Sequence, residues 1–336
     1  MRERRKKRPW LAALILLLSM ALGAWSRPAA ATCMGQRRTV IPVGRTVGIK
    51  LFAHGVMVVG LSENGTGAAC GLKQGDVITC INGTPVNSIE EAESALSGVE
   101  GTLDIQASRS GRALELTLED PPSDGEGGCK LGAWIRDSMA GIGTVTFYDP
   151  ATGVFGALGH GINDVDTGLL MPLRTGSVMP SAVSGVLCGA GGAPGELHGS
   201  FDLTRDVGSL TTNTDRGIFG RADGAYFTGQ PTEVALPGEL HTGAAVILAN
   251  VEGEQVESFD VEILRVYPGA GRERQSLMLR VTDERLLQRT GGIVQGMSGS
   301  PILQDGRLVG AVTHVLVDDP QRGYGITIGQ MLDQAP

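Results

Sequence analysis

Glycine constrains this chain more than any other residue type. The sequence holds 51 glycines among 336 residues, and they separate many short runs of valine, isoleucine and leucine. Short apolar runs between glycine or proline turns are typical of strands and are too short for most helices. A hydrophobic content of 41% is enough for a buried core, so the pattern is not that of a disordered chain. The sequence predicts a folded, mostly β protein of at least two domains.

The N-terminus has the composition of an export signal. Basic residues cluster between Arg2 and Arg8, an apolar run extends from Leu11 to Trp25, and Ala29 to Ala31 offer small residues for cleavage. The run is shorter than the roughly 20 residues that a membrane-spanning helix needs. Residues 1–33 are therefore predicted to be a signal peptide, with an uncleaved signal anchor as the alternative. Either one implies export across the cytoplasmic membrane, with N-terminal membrane association in the second case.

Charge and cysteine usage exclude some classes of function. The net charge of −8 and the lack of a basic stripe beyond the N-terminus argue against a nucleic-acid partner. The five cysteines are widely spaced and form no CxxC pair, so neither a zinc site nor a redox site is expected, and buried free thiols are favoured. Nothing in the sequence requires a metal or an organic cofactor.

Residues 46–120 carry a motif that is specific to one small domain. A small-residue turn at Gly67–Cys70 leads into Gly-Leu-x-x-Gly-Asp-Val-Ile-x-x-Ile-Asn-Gly from Gly71 to Gly83. Ser88 and Glu91 have the spacing of a capping box, which predicts a helix that ends before Gly98. The stretch resembles a PDZ domain, a small α+β barrel in which a peptide adds as an extra strand beside a carboxylate-binding loop.

The PDZ resemblance also implies where a peptide would bind. Gly55, Val56, Met57 and Val58 resemble the carboxylate-binding loop and the strand after it, and the groove would lie between that strand and the helix that begins near Ile89. The expected occupant is a protein partner or the chain's own N-terminal region. The alternative is a PDZ fold that serves only as a spacer.

The rest of the chain predicts a second, larger β domain. By composition, residues 34–45 are a linker or a leading strand, and residues 121–128 are a linker. From residue 129 to residue 336 short strands alternate with glycine and proline turns, which predicts a sandwich or barrels. Only Asp283–Arg289 is clearly helical in pattern, and residues 329–333 are a second candidate.

A serine between glycines, in Gly296-Met297-Ser298-Gly299-Ser300-Pro301, is the first candidate for chemistry. A hydroxyl with bare neighbours, in a turn that can direct two amide N–H groups at one point, suits a nucleophile with an oxyanion hole. The same residues also suit an ordinary turn between two strands. Residue types alone leave both interpretations open, and Ser300 is a second candidate nucleophile.

A serine nucleophile needs a base and an acceptor that orients the base. His160 suits the base because it follows an apolar strand and lies between Gly159 and Gly161. The acid is less certain from spacing, and Asp283 by itself is a helix N-cap. The other histidines are His54, His198, His241 and His314; the other acid candidates are Asp164, Asp166, Asp202, Asp206 and Asp215.

Several motifs together resemble one peptidase family. The segments are 156–162 (Gly-Ala-Leu-Gly-His-Gly-Ile), 212–220 (Thr-Asn-Thr-Asp-Arg-Gly-Ile-Phe-Gly), 291–302 around the serine, and 310–315 (Gly-Ala-Val-Thr-His-Val). Together with the order of signal, PDZ domain and peptidase domain, they resemble the SpoIVB serine peptidases of endospore-forming bacteria. The resemblance implies a chymotrypsin-like double β-barrel.

The resemblance also implies roles for particular residues. Ser298 would be the nucleophile, His160 the general base and Asp283 the orienting acid, and the backbone N–H groups of Gly296 and Ser298 would form the oxyanion hole. Met297 occupies the position of an aspartate that helps a newly formed N-terminus to shape the site in chymotrypsin-like enzymes. No such activation switch is therefore expected in this chain.

The implied function is a serine endopeptidase of sporulation signalling. Such enzymes are exported to the space between forespore and mother-cell membranes. There they cleave a membrane-bound regulator of an intramembrane protease, which triggers processing of pro-sigma-K. They also cleave themselves, and residues 26–45 are a candidate region for that cut. Two alternatives remain: an exported PDZ scaffold with an inactive peptidase-like domain, and an HtrA-like quality-control peptidase. HtrA-type enzymes usually have the peptidase domain before the PDZ domain, which is the reverse of the order in this chain.

Overall fold

The computed structural model describes residues 37–99, 101–123, 125, 127–267 and 276–336. The predicted signal segment, residues 1–33, lies outside these ranges, as does Cys33. Within the described ranges, none of the helices combines the length and apolar character needed to cross a membrane.

Strands dominate the described part of the chain. The strands of its first half are β1 (Thr39–Pro42), β2 (Thr46–Leu61), β3 (Val77–Ile81), β4 (Thr84–Pro85), β5 (Thr102–Arg109), β6 (Arg112–Glu119), β7 (Ala133–Asp149), β8 (Val154–Ala157) and β9 (Leu173–Leu187). Those of its second half are β10 (Glu196–Phe201), β11 (Gly208–Thr214), β12 (Gly217–Ala222), β13 (Thr232–Glu233), β14 (Gly243–Glu252), β15 (Gln255–Val266), β16 (Leu277–Val281), β17 (Pro301–Gln304), β18 (Arg307–Leu316) and β19 (Asp319–Thr327).

The helices are short, and the helix after Ser88 begins where its cap predicts. Ser88 Oγ accepts a hydrogen bond from Glu91 N–H at 3.1 Å, while the Glu91 carboxylate accepts from Asn87 N–H, one residue before the predicted partner. The described helices are α1 (Thr66–Cys70), α2 (Ile89–Leu96), α3 (Glu284–Thr290) and α4 (Ile328–Leu332).

The C-terminal part of the chain forms a closed barrel. Its strands follow the order β14, β15, β16, β19, β18, β17, and β14 pairs with β17 to close the ring. Alternate residues point inward, so that Ile247, Phe259, Leu279 and Ile302 are fully buried in one core. This alternation is what the short apolar runs of the sequence encode.

A second ring of strands precedes it. β2 pairs with β7, β7 with β8, β8 with β12, β12 with β11, β11 with β9, and β9 with β2. Val47, Phe155, Val178 and Ile218 are completely or almost completely buried inside it. The prediction of a mostly β chain with a double-barrel peptidase fold is confirmed.

The PDZ-like fold is also confirmed. The second half of β2, β3 to β6 and the helices α1 and α2 enclose a separate core that includes Val58, Ile78 and Leu103. Asp76, the aspartate of the predicted motif, is fully buried, and its carboxylate accepts two hydrogen bonds of 2.7 Å from the guanidinium of Arg109. This ion pair fastens the turn before β3 to the end of β5.

The thiols fall mostly inside the fold. Cys70 and Cys80 are buried free thiols in the PDZ-like region, Cys129 is buried there as well, and the free thiol of Cys188 is exposed. Burial, with a smaller contribution from nearby Asp104, raises the pKa of the Cys70 thiol. A buried thiol with a raised pKa is a poor nucleophile, so Cys70 acts as a small core residue.

Two strands belong to both the PDZ-like region and the N-terminal barrel. The first half of β2, Thr46–Phe52, pairs with β7 and β9 in the barrel, and its second half pairs with β3 in the PDZ-like region. The chain returns to the barrel through β7. The predicted limit at residue 46 thus falls at the start of a shared strand, and the predicted leading segment 34–45 contains strand β1. The domain limits themselves stay a prediction.

Candidate active site

The turn that carries Ser298 depends on two glycines. Gly296 and Gly299 have φ values of 96° and 99°, in the region that residues with a Cβ rarely adopt. A Cβ on Gly299 would also lie only 2.0 Å from the carbonyl oxygen of Thr144. The turn leaves Ser298 half-buried between two fully enclosed neighbours, Met297 and Gly299. The glycines of the motif are therefore required by the backbone path.

Thr144, a buried residue of β7, holds this turn against the N-terminal barrel. Its Oγ1 donates a hydrogen bond of 2.7 Å to the Gly296 carbonyl, and its N–H donates one of 3.0 Å to the Ser298 carbonyl. Its own carbonyl accepts from the N–H of Leu158 at 3.1 Å. One residue thus connects the serine turn of one barrel to the end of β8 in the other.

His160 is presented on the loop after β8. Leu158 and Gly159 both have positive φ, and for leucine this is a strained conformation of the kind found at functional sites. His160 Nδ1 lies 2.8 Å from the carbonyl oxygen of Gly161. Since a carbonyl can only accept, Nδ1 carries the proton, and in the neutral imidazole the lone pair is then on Nε2. A histidine in this tautomer can serve as a base through Nε2.

Ser298 and His160 line the same cavity, which lies between the two barrels. Its volume is about 310 Å³. The other lining residues come from β2, β7, the His160 loop and the serine turn: Ile49, Met139, Ala140, Gly141, Ile142, Leu158, Gly161, Ile162, Asn163, Gln295 and Gly296. The structure therefore brings together the predicted nucleophile and the predicted base.

The hydroxyl of Ser298 donates to an acceptor other than His160 in this structure. Its Oγ donates a hydrogen bond of 2.7 Å to the carbonyl of Thr313, on β18. The ring of His160 lies against the ring of His314, the next residue of β18, with 5.1 Å between the ring centres. To give its proton to His160, Ser298 has to exchange the carbonyl for the imidazole.

The predicted oxyanion-hole amides are available. In the described part of the chain, the N–H groups of Gly296 and Ser298 donate to no protein acceptor, and both residues line the cavity. The amide between them, on Met297, donates to the Val294 carbonyl at 3.1 Å, and the amide of Gly299 donates to β18. Two unused donors beside a serine hydroxyl can stabilise a developing negative charge on a substrate oxygen.

The neighbours of Ser298 in the motif have structural positions. Ser300, the second candidate nucleophile, is completely buried, so its hydroxyl cannot reach a substrate. Met297 is also completely buried and packs in the core of the C-terminal barrel. At this position, where chymotrypsin-like enzymes have an aspartate, the chain therefore has a core residue.

Asp283 does not line the cavity. It is the N-cap of α3, where its carboxylate accepts from the N–H of Arg285 at 2.9 Å, from the Arg285 guanidinium at 2.7 Å and from the N–H of Asp260 at 3.2 Å. The hydrogen bond from Arg285 contributes most to lowering the pKa of Asp283 to about 2, against the opposing effect of burial. Its predicted role as the acid of the triad stays a prediction.

The alternative acids do not line the cavity either. Asp164 is buried in the loop after His160, where it pairs with Arg136 and accepts hydrogen bonds from Thr167. Burial would raise the pKa of Asp164, but the hydrogen bonds from Thr167 and the charge of Arg136 outweigh it and lower the pKa. Asp215 lies in the exposed turn between β11 and β12.

Among the described residues, none of the other histidines lines the cavity. The ring of His241 contacts Asp305 at an exposed position, and His198 is an exposed residue of β10. Within the described ranges, histidine, cysteine, aspartate and glutamate side chains form no group of three or more that could hold a metal ion.

Some residues that shape the site were not singled out from the sequence. Asn213 fixes the loop after His160, because its side chain accepts from the N–H of Ile162 and donates to the carbonyls of Ile162 and Met171. The sequence signal for Asn213 was its place in the segment 212–220, which is one of the family motifs. Thr144 gave no signal, because a threonine in an apolar strand is ordinary.

The predicted peptide-binding strand of the PDZ-like region already has a paired neighbour on one edge. From Met57 to Leu61 the edge of β2 is paired with residues 133–136 of β7. The N–H of Gly55 donates to the side chain of Asn87, and the N–H of Val58 donates to the carbonyl of Asp76. Binding of a separate peptide by residues 55–58 therefore stays a prediction.

Fold and site together define a serine peptidase that contains a PDZ domain. A family model described as "SpoIVB peptidase S55" matches residues 127–332, and a PDZ-domain model matches residues 57–103. The chain belongs to the SpoIVB peptidase S55 family, as its motifs indicated. The peptidase match begins at residue 127, after the barrel strand β2.

Solved structures give weaker similarities. The PDZ domain of the SdrC-like protein Lmo2051 from Listeria monocytogenes is 24% identical, with 24% of this chain and 87% of that chain covered and a TM-score of 0.22. The Rv3671c protease of M. tuberculosis in its active form is 15% identical over 59% of this chain and 73% of that chain, with a TM-score of 0.32. The inactive form of Rv3671c protease is 14% identical over 58% and 82%, also at 0.32. TM-scores below 0.5 support no conclusion about this chain. A search of curated proteins gives no match.

We predict that Asp283→Asn changes how stability depends on pH. Asparagine keeps the N-cap, so the change removes mainly the charge. A pKa of about 2, instead of the ordinary 3.8, corresponds to about 2 kcal/mol of stability. Because the folded-state pKa is depressed, this contribution is complete above about pH 4 and is lost as the pH falls towards 2.

The measurement is urea unfolding of wild type and Asp283→Asn between pH 2 and pH 7. The gap in the free energy of unfolding should be about 2 kcal/mol at neutral pH and should close at low pH. Asp215→Asn, in an exposed turn, is the control. A gap that does not change with pH would show that the carboxylate charge of Asp283 contributes nothing.

Proposed function

We propose that the chain is an endopeptidase in which Ser298 is the nucleophile and His160 is the general base. The observation that carries the proposal is the shared cavity of Ser298 and His160, with the unused amides of Gly296 and Ser298 beside the hydroxyl. The tautomer of His160 supports it further, because Nδ1–H is held by the Gly161 carbonyl and Nε2 can accept a proton.

The reaction begins with a rotation of the Ser298 side chain. The hydroxyl leaves the Thr313 carbonyl and donates to Nε2 of His160. As Oγ attacks the scissile carbonyl, its proton passes to His160, and the amides of Gly296 and Ser298 hold the negative oxygen. The imidazolium then gives the proton to the leaving amine, and an acyl-enzyme remains. Water, deprotonated by His160, hydrolyses that ester and restores the serine.

The acid of the triad is proposed from the family resemblance alone. The resemblance assigns it to Asp283, whose contacts are to Arg285 and Asp260. The Gly161 carbonyl supplies part of what an acid does, because it fixes the tautomer of His160. Activity of Asp283→Asn separates the possibilities: a loss of no more than a few-fold would redirect the assignment to Asp215 or Asp164.

The biological role we propose is sporulation signalling. The enzyme would be exported by its N-terminal segment, or anchored by it, and act in the space between forespore and mother-cell membranes. There it would cleave a membrane-bound regulator of an intramembrane protease, and it would cut itself near residues 26–45. Family membership and the basic, then apolar, N-terminal sequence support this role.

Two observations favour an alternative, an exported PDZ scaffold with an inactive peptidase-like domain. The Ser298 hydroxyl is bound to the Thr313 carbonyl, and the carboxylate of Asp283 does not line the cavity. A PDZ protein that only binds its partner would keep its function when the serine is changed. An HtrA-like quality-control role predicts instead the degradation of many unfolded proteins.

We predict that Ser298→Ala abolishes proteolysis, because it removes the nucleophile. Full-length wild type and the variant are incubated alone and with an unfolded test protein such as casein, and fragments are followed by mass spectrometry. The variant should lose about 10⁴-fold or more in rate. Ser300→Ala, two residues away and buried, is the matched control and should keep its activity. Identical fragments from wild type and Ser298→Ala would refute the enzyme proposal.

We also predict a preference for apolar side chains next to the cleaved bond. The walls of the cavity are formed by aliphatic side chains from Ile49, Met139, Ile142, Leu158 and Ile162. Among the described residues that line it, none is Asp, Glu, Lys or Arg, so a charged substrate side chain would be buried without a partner.

A fluorogenic peptide library that varies the residue before the cleaved bond tests this preference. Substrates with leucine, valine or methionine should exceed those with aspartate or lysine by about 10-fold or more in kcat/KM. Met139→Glu should shift the preference towards lysine. Equal rates for apolar and charged residues in wild type would contradict the assignment of the cavity.

A further inference from the structure

The His160 loop, residues 158–172 between β8 and β9, packs against the PDZ-like region. Near its end, Met171 is completely buried in a small core that it shares with three residues of β2. One of the three, Met57, lies in the half of β2 that belongs to the PDZ-like region. The N–H of His54 also donates a hydrogen bond of 2.7 Å to the carbonyl of Pro172. The loop that carries the base is therefore supported from outside its own barrel.

The same small core extends to the active-site cavity. Met139 and Ile162 are partly buried against it, and both of these residues also line the cavity. Val77, the first residue of β3, packs against the core from the PDZ-like side. Because closely packed side chains transmit displacements to their neighbours, a shift between the loop and the PDZ-like region would move the cavity wall.

Arg136 binds the loop from the sheet of the PDZ-like region. It lies on β7, opposite Met57 in the ladder with β2. One end of its guanidinium forms an ion pair with Asp164, whose side chain is fully buried. The other end forms an ion pair of 2.9 Å with Asp166, whose side chain is 49% exposed. A planar guanidinium presents its donors in a fixed fork, so this one arginine holds two carboxylates of the loop in a defined arrangement.

Asp164 in turn shapes the loop four residues after His160. One of its carboxylate oxygens accepts hydrogen bonds from the N–H of Asp166 at 3.1 Å, from the N–H of Thr167 at 2.8 Å and from Oγ1 of Thr167 at 2.9 Å. The other oxygen bonds to Arg136. Removing the charged partner of a buried carboxylate leaves an uncompensated charge. The path of the loop therefore depends on its contact with Arg136.

The turn before β3 supplies a further contact with the loop. Nε2 of Gln74 donates a hydrogen bond of 3.2 Å to the carbonyl of Asp166. Next to it, Gly75 has a φ of 89°, and a Cβ at this position would lie only 2.7 Å from Cδ1 of Leu169. Glycine thus lets the loop approach this turn of the PDZ-like region closely.

We propose that Arg136 and Asp164 are positioning residues for the general base, and that the PDZ-like region is the support that fixes the His160 loop beside the catalytic cavity. Asp164 then acts through the loop and is not the acid of the triad. The effect on turnover rests on the proposed peptidase function, whereas the attachment of the loop does not.

The test measures turnover and hydrogen exchange on the full-length chain. Arg136→Ala releases the loop, and a displacement of His160 by about 1 Å can cost about 100-fold in rate. We expect kcat to fall by about 10- to 100-fold while KM changes by less than about 3-fold. Amides of residues 161–171 should exchange about 10-fold faster. Arg136→Lys keeps the charge without the fork, so it should restore part of both.

Further variants separate positioning from a folding defect. Arg174→Ala removes an exposed arginine just after the loop and should behave like wild type. Gln74→Ala removes an exposed side chain and leaves no charge unpaired, and its kcat should fall by about 2- to 5-fold. If Arg136→Ala does not fold, its combination with Asp164→Asn, which also removes the buried charge, takes its place with the same expected loss.

A folded Arg136→Ala protein with the kcat of wild type would overturn the proposal. A loss of about 10⁴-fold in Asp164→Asn would also overturn it, because a loss of that size is expected for the acid of a triad. If wild type has no peptidase activity, the proposed function fails, while hydrogen exchange still decides whether Arg136 holds the loop. Unchanged exchange of residues 161–171 in Arg136→Ala would refute that attachment.

Discussion

The ladder between β2 and β7 is the interaction on which the rest of the structure depends. It begins in the N-terminal barrel at Thr46 and Thr144, and it ends in the PDZ-like region at Leu61 and Ala133. Between these ends the two strands form one wall of the active-site cavity. Because backbone hydrogen bonds along a ladder form cooperatively with the packing on each face, neither region can lose this pair without disturbing the other. The PDZ-like region is therefore built into the first barrel, between two of its strands.

The active site follows from the way the two barrels meet. Thr144 lies on β7, and its hydrogen bonds to Gly296 and Ser298 hold the serine turn of the C-terminal barrel. The His160 loop comes from the N-terminal barrel and packs on β18, next to His314. Placing the nucleophile and the base on different barrels makes their alignment sensitive to small shifts of one barrel against the other, and a shift of about 1 Å can cost about 100-fold in rate.

The sequence predicted the parts of this structure that are encoded locally. Short apolar runs predicted the strands, Ser88 and Asp283 predicted helix starts, and the glycines around Ser298 predicted a tight turn with free amides. The local sequence favoured His160 as a base, but its assignment as the partner of Ser298 came from the family motifs, because the two residues are far apart in the chain. Strand pairing over such distances leaves no mark in the local pattern.

For the same reason the sequence did not predict that β7 pairs with the second half of β2. The sequence did not mark residues 131–137 as a strand, and the partner of a strand is decided by tertiary packing. The acid of the triad shows a different limit of prediction from sequence. Asp283 matches the family pattern by position, yet its neighbour Arg285 satisfies its carboxylate locally. A motif identifies residue types and spacing, and it does not specify which of several partners a carboxylate takes.

The central claim is that Ser298 is a nucleophile within reach of substrate, and covalent labelling tests it most directly. The full-length protein is treated with a fluorophosphonate, digested, and the modified residue is identified by mass spectrometry. The account predicts one adduct, on Ser298, which persists in Ser300→Ala and is absent from Ser298→Ala. An adduct on another residue, or no adduct on wild type, would contradict it.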